Sequence, residues 1–126
     1  MKLLLDTHAV LWWLAGDRRL SRGAAAAIAD PDNAVFVSVV SGYEIGLKVR
    51  RGNLTTAIPR EFPLYLDRAG IPALALDMGH MIEGALLAWD HRDPWDRLLA
   101  AQARLHGCTL VSVDPIFDAL GLARLW

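Results

Sequence analysis

Four acidic residues stand where this chain passes from one kind of segment to another. Asp6 closes the apolar run Lys2 to Leu5, Glu44 follows the β-branched run Ala34 to Val40, Asp96 follows Pro94, and Asp114 closes Thr109 to Val113. Carboxylates are hard oxygen ligands, and in open parallel sheets ligands bind beyond the carboxyl ends of the strands, where the strand order reverses. Two carboxylates about 5 Å apart at an effective dielectric of ~20 repel by roughly 3 kcal/mol, so several at one sheet edge need protons or a cation. Magnesium or manganese meets that need, because such an ion binds through a few carboxylates plus water and substrate phosphate. Zinc would prefer softer ligands. The chain has a single cysteine, Cys108, and its four histidines, His8, His80, His91 and His106, are scattered.

Each acid also has a purely structural explanation. Ser41-x-x-Glu44 has the form of a capping box. Asp93-Pro94-Trp95-Asp96 supplies an N-cap, a first-turn proline and an acid facing the positive end of a helix dipole. Asp6 and Asp114 could cap the helices after them. Taken singly these accounts suffice, and only a shared edge of the sheet argues for a metal.

The elements that must position these residues alternate. Lys2 to Leu5 reads as a buried strand and Thr7 to Ala15 as a helix. Ser21 caps the alanine-rich segment Gly23 to Ala29, which ends near Asp30-Pro31. Ala34 to Val40 is a strand running into a helix that reaches Arg51 and stops at Gly52-Asn53. A short helix is expected over Pro59 to Arg68, a strand over Ile71 to Leu76 and a helix over Met78 to Trp89. The helix opened by Pro94 ends at Gly107, Thr109 to Val113 is a strand, and a short helix follows Asp114-Pro115. Strands alternating with helices require crossover connections, so the expected fold is α/β, a three-layer α/β/α sandwich on a central parallel sheet.

Length and composition fit one domain over residues 1–126: 54% of the residues are hydrophobic, enough for a core without disulfides or a structural metal. Asp6 and His8 interrupt the apolar amino terminus, no apolar run approaches membrane-spanning length, and a soluble protein of the reducing cytoplasm is expected. Thirteen Lys and Arg against fourteen Asp and Glu give a net charge of -1, which is not the footprint of a general nucleic-acid binder. Any polyanion must be held locally, and the basic groups Arg18, Arg19 and Arg22, then Lys48, Arg50 and Arg51, then Arg92 and Arg97, are as well explained as solvated helix ends.

The runs LLLDTH from Leu3, Ser41 to Ile45, HRDPWDRLLAAQA from His91 and LVSVD ending at Asp114 occur in the order and at the spacing of a known family. Over nearly its whole length the chain resembles a PIN-domain ribonuclease, specifically the VapC-type toxin of a bacterial toxin–antitoxin pair; the His91 to Ala103 run is the most specific element. That resemblance implies a magnesium or manganese site built from Asp6, Glu44, Asp96 and Asp114, with Asp114 the most variable member and Asp93 left to capping. It implies an RNA substrate, a cognate antitoxin that blocks the groove, and a homodimer.

On that reading one or two metal ions hold the scissile phosphate and activate a water for in-line attack, leaving 3′-hydroxyl and 5′-phosphate ends. Thr7 and Ser112 are candidate supports that serve equally as strand-end hydroxyls. Lys48, Arg50, Arg51 or Arg97 are candidate phosphate contacts. Trp12 and Trp13, adjacent on a short helix, cannot both face one core, so one is free to stack a base or meet a partner, with core packing the plainer reading; Trp95 is ambiguous in the same way. Two rival functions remain: a phosphatase using a strand-end aspartate as nucleophile, although the second acid such sites want two residues on is here His8, and a silent PIN-like module serving as scaffold or RNA binder.

Overall fold

The computed structural model of the protein describes residues 1–54 and 59–126. Its elements follow in the order β1 (Lys2–Leu5), α1 (Thr7–Ala15), α2 (Arg22–Ala29), β2 (Ala34–Ser38), α3 (Val39–Arg50), α4 (Phe62–Ala69), β3 (Ala73–Leu74), α5 (Met78–Leu86), α6 (Pro94–His106), β4 (Thr109–Val111), a 3-10 helix (Pro115–Leu120) and β5 (Arg124–Leu125). The five strands form one parallel sheet in the order β3-β2-β1-β4-β5. The chain builds outward from β1 on one side and then crosses to the other, so the order reverses between β1 and β4, and a crevice opens beyond their carboxyl ends.

Side-chain alternation along β1 divides the core into two apolar layers. Leu3 and Leu5 point into a cluster with Ala9 and Val10 of α1, Ala24 and Ile28 of α2, Ile45 of α3 and Phe62 and Leu66 of α4. Leu4 points the other way, into a cluster with Leu87, Leu99, Ala100, Ala103, Leu110 and Phe117. All three leucines are fully buried, as a central parallel strand covered on both faces requires. The expected three-layer α/β/α architecture is the observed one.

Several boundaries depart from expectation for identifiable reasons. Strand β2 ends at Ser38, and Val39 and Val40 belong to α3 despite their β-branched side chains. Val40 is 4% exposed, and burying it in the helix outweighs its intrinsic preference for a strand. The N-cap is therefore Ser38, whose hydroxyl accepts from the Val40 amide at 3.1 Å. No capping box forms at Ser41, and Glu44 lies beyond the first helical turn. The third strand is only Ala73–Leu74, and β5 at the carboxyl end was not expected.

Helix α5 stops at Leu86 instead of reaching Trp89, because the Arg97 guanidinium on α6 takes the carbonyls that would continue it. It donates to Gly84 O at 2.9 Å, Ala85 O at 3.3 Å, Leu87 O at 2.7 Å, Trp89 O at 2.7 Å and His91 O at 2.9 Å. The two helices come close enough that a Cβ built on Gly84 would lie 3.2 Å from Leu98 Cδ2. Gln102, fully buried on α6, reaches the chain leaving β3 through its amide nitrogen, 3.3 Å from Leu74 O and 3.2 Å from Ala75 O.

Removing the Ser38 cap should cost about 1 kcal/mol. Ser38→Ala should therefore lower the midpoint of thermal unfolding by roughly 3 to 6 °C. A variant that melts with the parent protein would show that the start of α3 is not held by this hydroxyl.

Candidate metal centre

The crevice beyond β1 and β4 is a cleft of about 540 Å³ whose lining includes Asp6, Glu44, Asp96 and Asp114. All four acids singled out in the sequence meet there. Asp93, which the sequence assigns to capping alone, lines it as well.

Asp6 is the fixed point. Its backbone N–H donates to Val111 O at 3.0 Å, locking the residue to β4, and its Oδ1 accepts from the Ala9 amide at 2.7 Å as the N-cap of α1. The residue is 8% exposed. Loss of hydration pushes its carboxyl above the ordinary range; the Ser112 hydroxyl, the Ala9 amide and His8 oppose this, and the Glu44 charge adds to it.

Glu44 reaches the cleft from α3 and is held on both oxygens. Its Oε1 lies 2.7 Å from Thr7 Oγ1, and its Oε2 lies 3.3 Å from Lys48 Nζ one turn along the helix. The Thr7 hydroxyl is also 3.0 Å from Ser41 Oγ. Thr7 has a single hydroxyl proton, and the charged carboxylate is the stronger acceptor for it. Lys48 Nζ stands 3.5 Å from His8 Nε2 at the rim.

Asp96 enters on the first turn of α6 under the Asp93 cap, whose Oδ1 accepts from the Trp95 and Asp96 amides at 2.9 and 3.2 Å. Its own Oδ2 is 2.6 Å from His91 Nε2. Burial raises the Asp96 carboxyl above its ordinary range, against the His91 hydrogen bond and with the Asp93 and Glu44 charges adding to the rise. Asp114 is exposed and caps the 3-10 helix through Oδ1, 3.0 Å from the Ile116 amide, while Ser112 Oγ accepts the Asp114 amide at 3.1 Å. Arg124 pins this corner, donating to Ser112 O at 3.0 Å and to both Asp118 oxygens.

The lining holds Asp6, Glu44, Asp93, Asp96 and Asp114 against one lysine, Lys48, and the imidazole of His8. Among the described residues Asp6, Asp93 and Asp114 have no ion-pair partner. Hard oxygen donors, a surplus of negative charge and two carboxyls driven toward protonation fit a hard divalent cation. Among the described residues no three of these side chains already stand in the arrangement of a closed metal cage. Glu44 is tied to Thr7 and Lys48, and Asp96 to His91. The acids line an open cleft in which Asp6 and Asp96 would be the primary holders.

Other expectations change. Arg97 is committed to backbone carbonyls and is not free to meet phosphate. Trp12 and Trp13 both pack against the first apolar cluster, so the pair does share one core; Trp12 also lies against Trp126, with ring centroids 5.7 Å apart, and under the Arg19 guanidinium at 5.1 Å. Trp95 pairs with the exposed Tyr43, with centroids 4.6 Å apart. The histidines are not all isolated: His91 bonds Asp96, and His80 Nε2 lies 2.8 Å from His106 Nε2 on the α5–α6 seam. The role of His91 had only a weak signal in the sequence, its place five residues before Asp96 across a proline turn.

The chain is similar to known proteins over most of its length. A family model for the PIN domain matches residues 3–122. Ribonuclease VapC22 of Mycobacterium tuberculosis is 32% identical over 118 residues, covering 89% of this chain and 86% of that protein. Two solved structures have the same fold. The first is VapBC2 from Rickettsia felis bound to a DNA fragment from their promoter, with TM-score 0.69, 14% identity, and 100% of this chain and 98% of that one covered. The second is FitAcB from Neisseria gonorrhoeae, with TM-score 0.65, 19% identity, and 98% and 96% covered.

The burial of Asp6 sets a pH dependence. A carboxyl whose folded-state pKa lies above its unfolded value makes the folded protein bind the proton more tightly, so metal-free stability falls as pH rises from 3.8 through the raised value. Asp6→Asn keeps an amide-accepting cap and removes the charge. Without divalent ions it should melt a few degrees above the parent at pH 7 and converge with it below pH 3.8. Excess manganese should raise the parent and leave the variant unmoved. Equal midpoints at pH 7 without metal would show that the Asp6 charge is not a burden on the fold.

Proposed function

The chain belongs to the PIN-domain family, as a relative of the VapC ribonucleases, and from that premise we propose that it is a metal-dependent endoribonuclease acting in the cytoplasm as the toxin of a toxin–antitoxin pair. The observation that carries this reading is the convergence of Asp6, Glu44, Asp96 and Asp114 on one cleft, with Asp6 nearly buried and lacking an ion-pair partner among the described residues. Asp6 and Asp96 would hold the magnesium or manganese ion, Glu44 would bind it or orient water, and Asp114 would contribute directly or through water from the exposed rim.

A bound divalent ion would offset the charge of the scissile phosphate and make a water more acidic. The surrounding residues keep the reaction in register. Thr7 holds one Glu44 oxygen, so that carboxylate presents a fixed face. Lys48, beside Glu44 and His8, is placed to meet a phosphate oxygen when the substrate arrives. Water adds to phosphorus, the bond from phosphorus to O3′ breaks, and O3′ takes up a proton, leaving 3′-hydroxyl and 5′-phosphate ends. Leu99 and Phe117, which also line the cleft, limit solvent on its inner side.

The protein partners of this reading are a cognate antitoxin and a second copy of the chain. An apolar strip on α5, with Met78 73% exposed, Ile82 53% and Leu86 75%, supports a protein contact on that face. The relatives of known structure described above include a complex named VapBC2. Among the described residues no helix is long and apolar enough to cross a membrane, and Cys108 is a free, buried thiol; both suit a cytoplasmic setting.

Protein purified free of any antitoxin should cut RNA when magnesium or manganese is added and stop when the ion is chelated. Asp6→Asn should lower the cleavage rate by at least about 100-fold, the equivalent of roughly 2.7 kcal/mol in the barrier, and abolish growth arrest on expression. Undiminished cleavage by that variant, or cleavage in the presence of chelator, would overturn the proposed site.

A further inference from the structure

The contact between His91 and Asp96 is the shortest hydrogen bond described, at 2.6 Å, and nothing about a capped helix requires it. His91 sits in the loop between α5 and α6, a segment with no regular secondary structure to fix it. It is fixed nevertheless. The ring packs against Trp89 with centroids 4.8 Å apart, and Trp89 packs on the buried Phe117 at 5.7 Å. The His91 carbonyl accepts from Arg97 Nη1 at 2.9 Å.

Arg97 is the residue immediately after Asp96. Among the described residues it has no carboxylate partner, and its guanidinium is spent on the carbonyls of Gly84, Ala85, Leu87, Trp89 and His91. A loop that matters only as a connection gains little from an arginine given over to it. The same helical turn that carries Asp96 thus anchors the loop that returns His91 to Asp96, and the contacts close into a ring: Asp96, Arg97, the loop backbone, His91 and Asp96 again.

We propose that His91 is a positioning residue for the metal-binding carboxylate Asp96, and that Arg97 is the anchor through which it acts. The proposal rests on the metal-dependent reading above. His91 Nε2–H donates to Oδ2, stops rotation of the carboxylate and leaves Oδ1 as the oxygen offered to the ion. Partners of this kind typically contribute 10- to 100-fold in metal affinity, because they hold the ligand in the orientation the ion needs.

The test is calorimetric titration of Mn²⁺ into the full chain and four variants. His91→Phe keeps a ring against Trp89 and loses the donor; Mn²⁺ affinity should fall about 10- to 100-fold, while metal-free melting shifts by only a few degrees. His91→Gln restores an N–H donor and should recover a large part of the affinity. Arg97→Lys, which cannot span the loop carbonyls, should weaken binding, and combining it with His91→Phe should add little, since the two act in series.

Wild-type affinity in His91→Phe would overturn the proposal even where Arg97→Lys fails to fold. Additive losses in the double variant would overturn the part assigned to Arg97. A parent protein that binds no Mn²⁺ would sink the metal-dependent reading itself, a result separate from a parent that binds normally alongside an unaffected His91→Phe.

Discussion

The Asp6 carboxylate is held where it can neither leave nor be fully hydrated. It ends the central strand, its amide is bonded across to Val111, and its Oδ1 starts the next helix. Drawing it into solvent would mean pulling β1 out of register with both neighbours, because a one-residue slip would turn Leu3, Leu4 and Leu5 to the wrong layers. The charge therefore has to be managed in place. Hydrogen bonds from Ala9 and Ser112 do part of this, and the raised pKa records what they leave uncompensated.

Capping and ligand binding, which compete as explanations in the sequence, are compatible in the structure. A carboxylate has two oxygens. Asp6 and Asp114 each give Oδ1 to a backbone amide that starts a helix, which fixes a side chain that also lines the cleft. Asp93 uses one oxygen for two amides and thereby sets the first turn on which Asp96 stands. A cap thus makes a good scaffold for a ligand, because it removes the side-chain freedom that binding would otherwise have to freeze.

What the sequence made legible followed from local rules. The unbroken apolar run Leu3 to Leu5, the cap at Ser21, the proline at Pro94 and the stop at Gly107, which takes φ 62°, are properties of adjacent residues, and with the alternation of elements they were enough for the parallel α/β fold. The acids could be found because each follows such a boundary. Less was legible wherever a distant contact outweighed local preference. Val39 and Val40 look like strand and fold as helix because α3 buries Val40, which moves the cap to Ser38 and removes the capping box at Ser41. Arg97 looks like a free surface cation, and only the approach of α5 to α6 reveals its carbonyl partners. The place of His91 depends on the path of a loop that no periodicity describes.

Contacts among the lining and its neighbours also account for a cleft that is acidic yet stable in a protein of net charge -1. Lys48 lies along Glu44 and His91 along Asp96, so two of the acids carry their own donors, while Asp6 is left to burial and neutral hydrogen bonds. A divalent ion entering the cleft would therefore compete with Lys48 for Glu44 and would meet an Asp96 already oriented by His91. The two donors differ: the lysine sits on a flexible stem and can swing toward an arriving phosphate, whereas His91 is held at its ring and its backbone and can only stay. One donor is built to yield and the other to hold, and the difference lies in what anchors them, since both meet their carboxylates at hydrogen-bonding or ion-pairing distance.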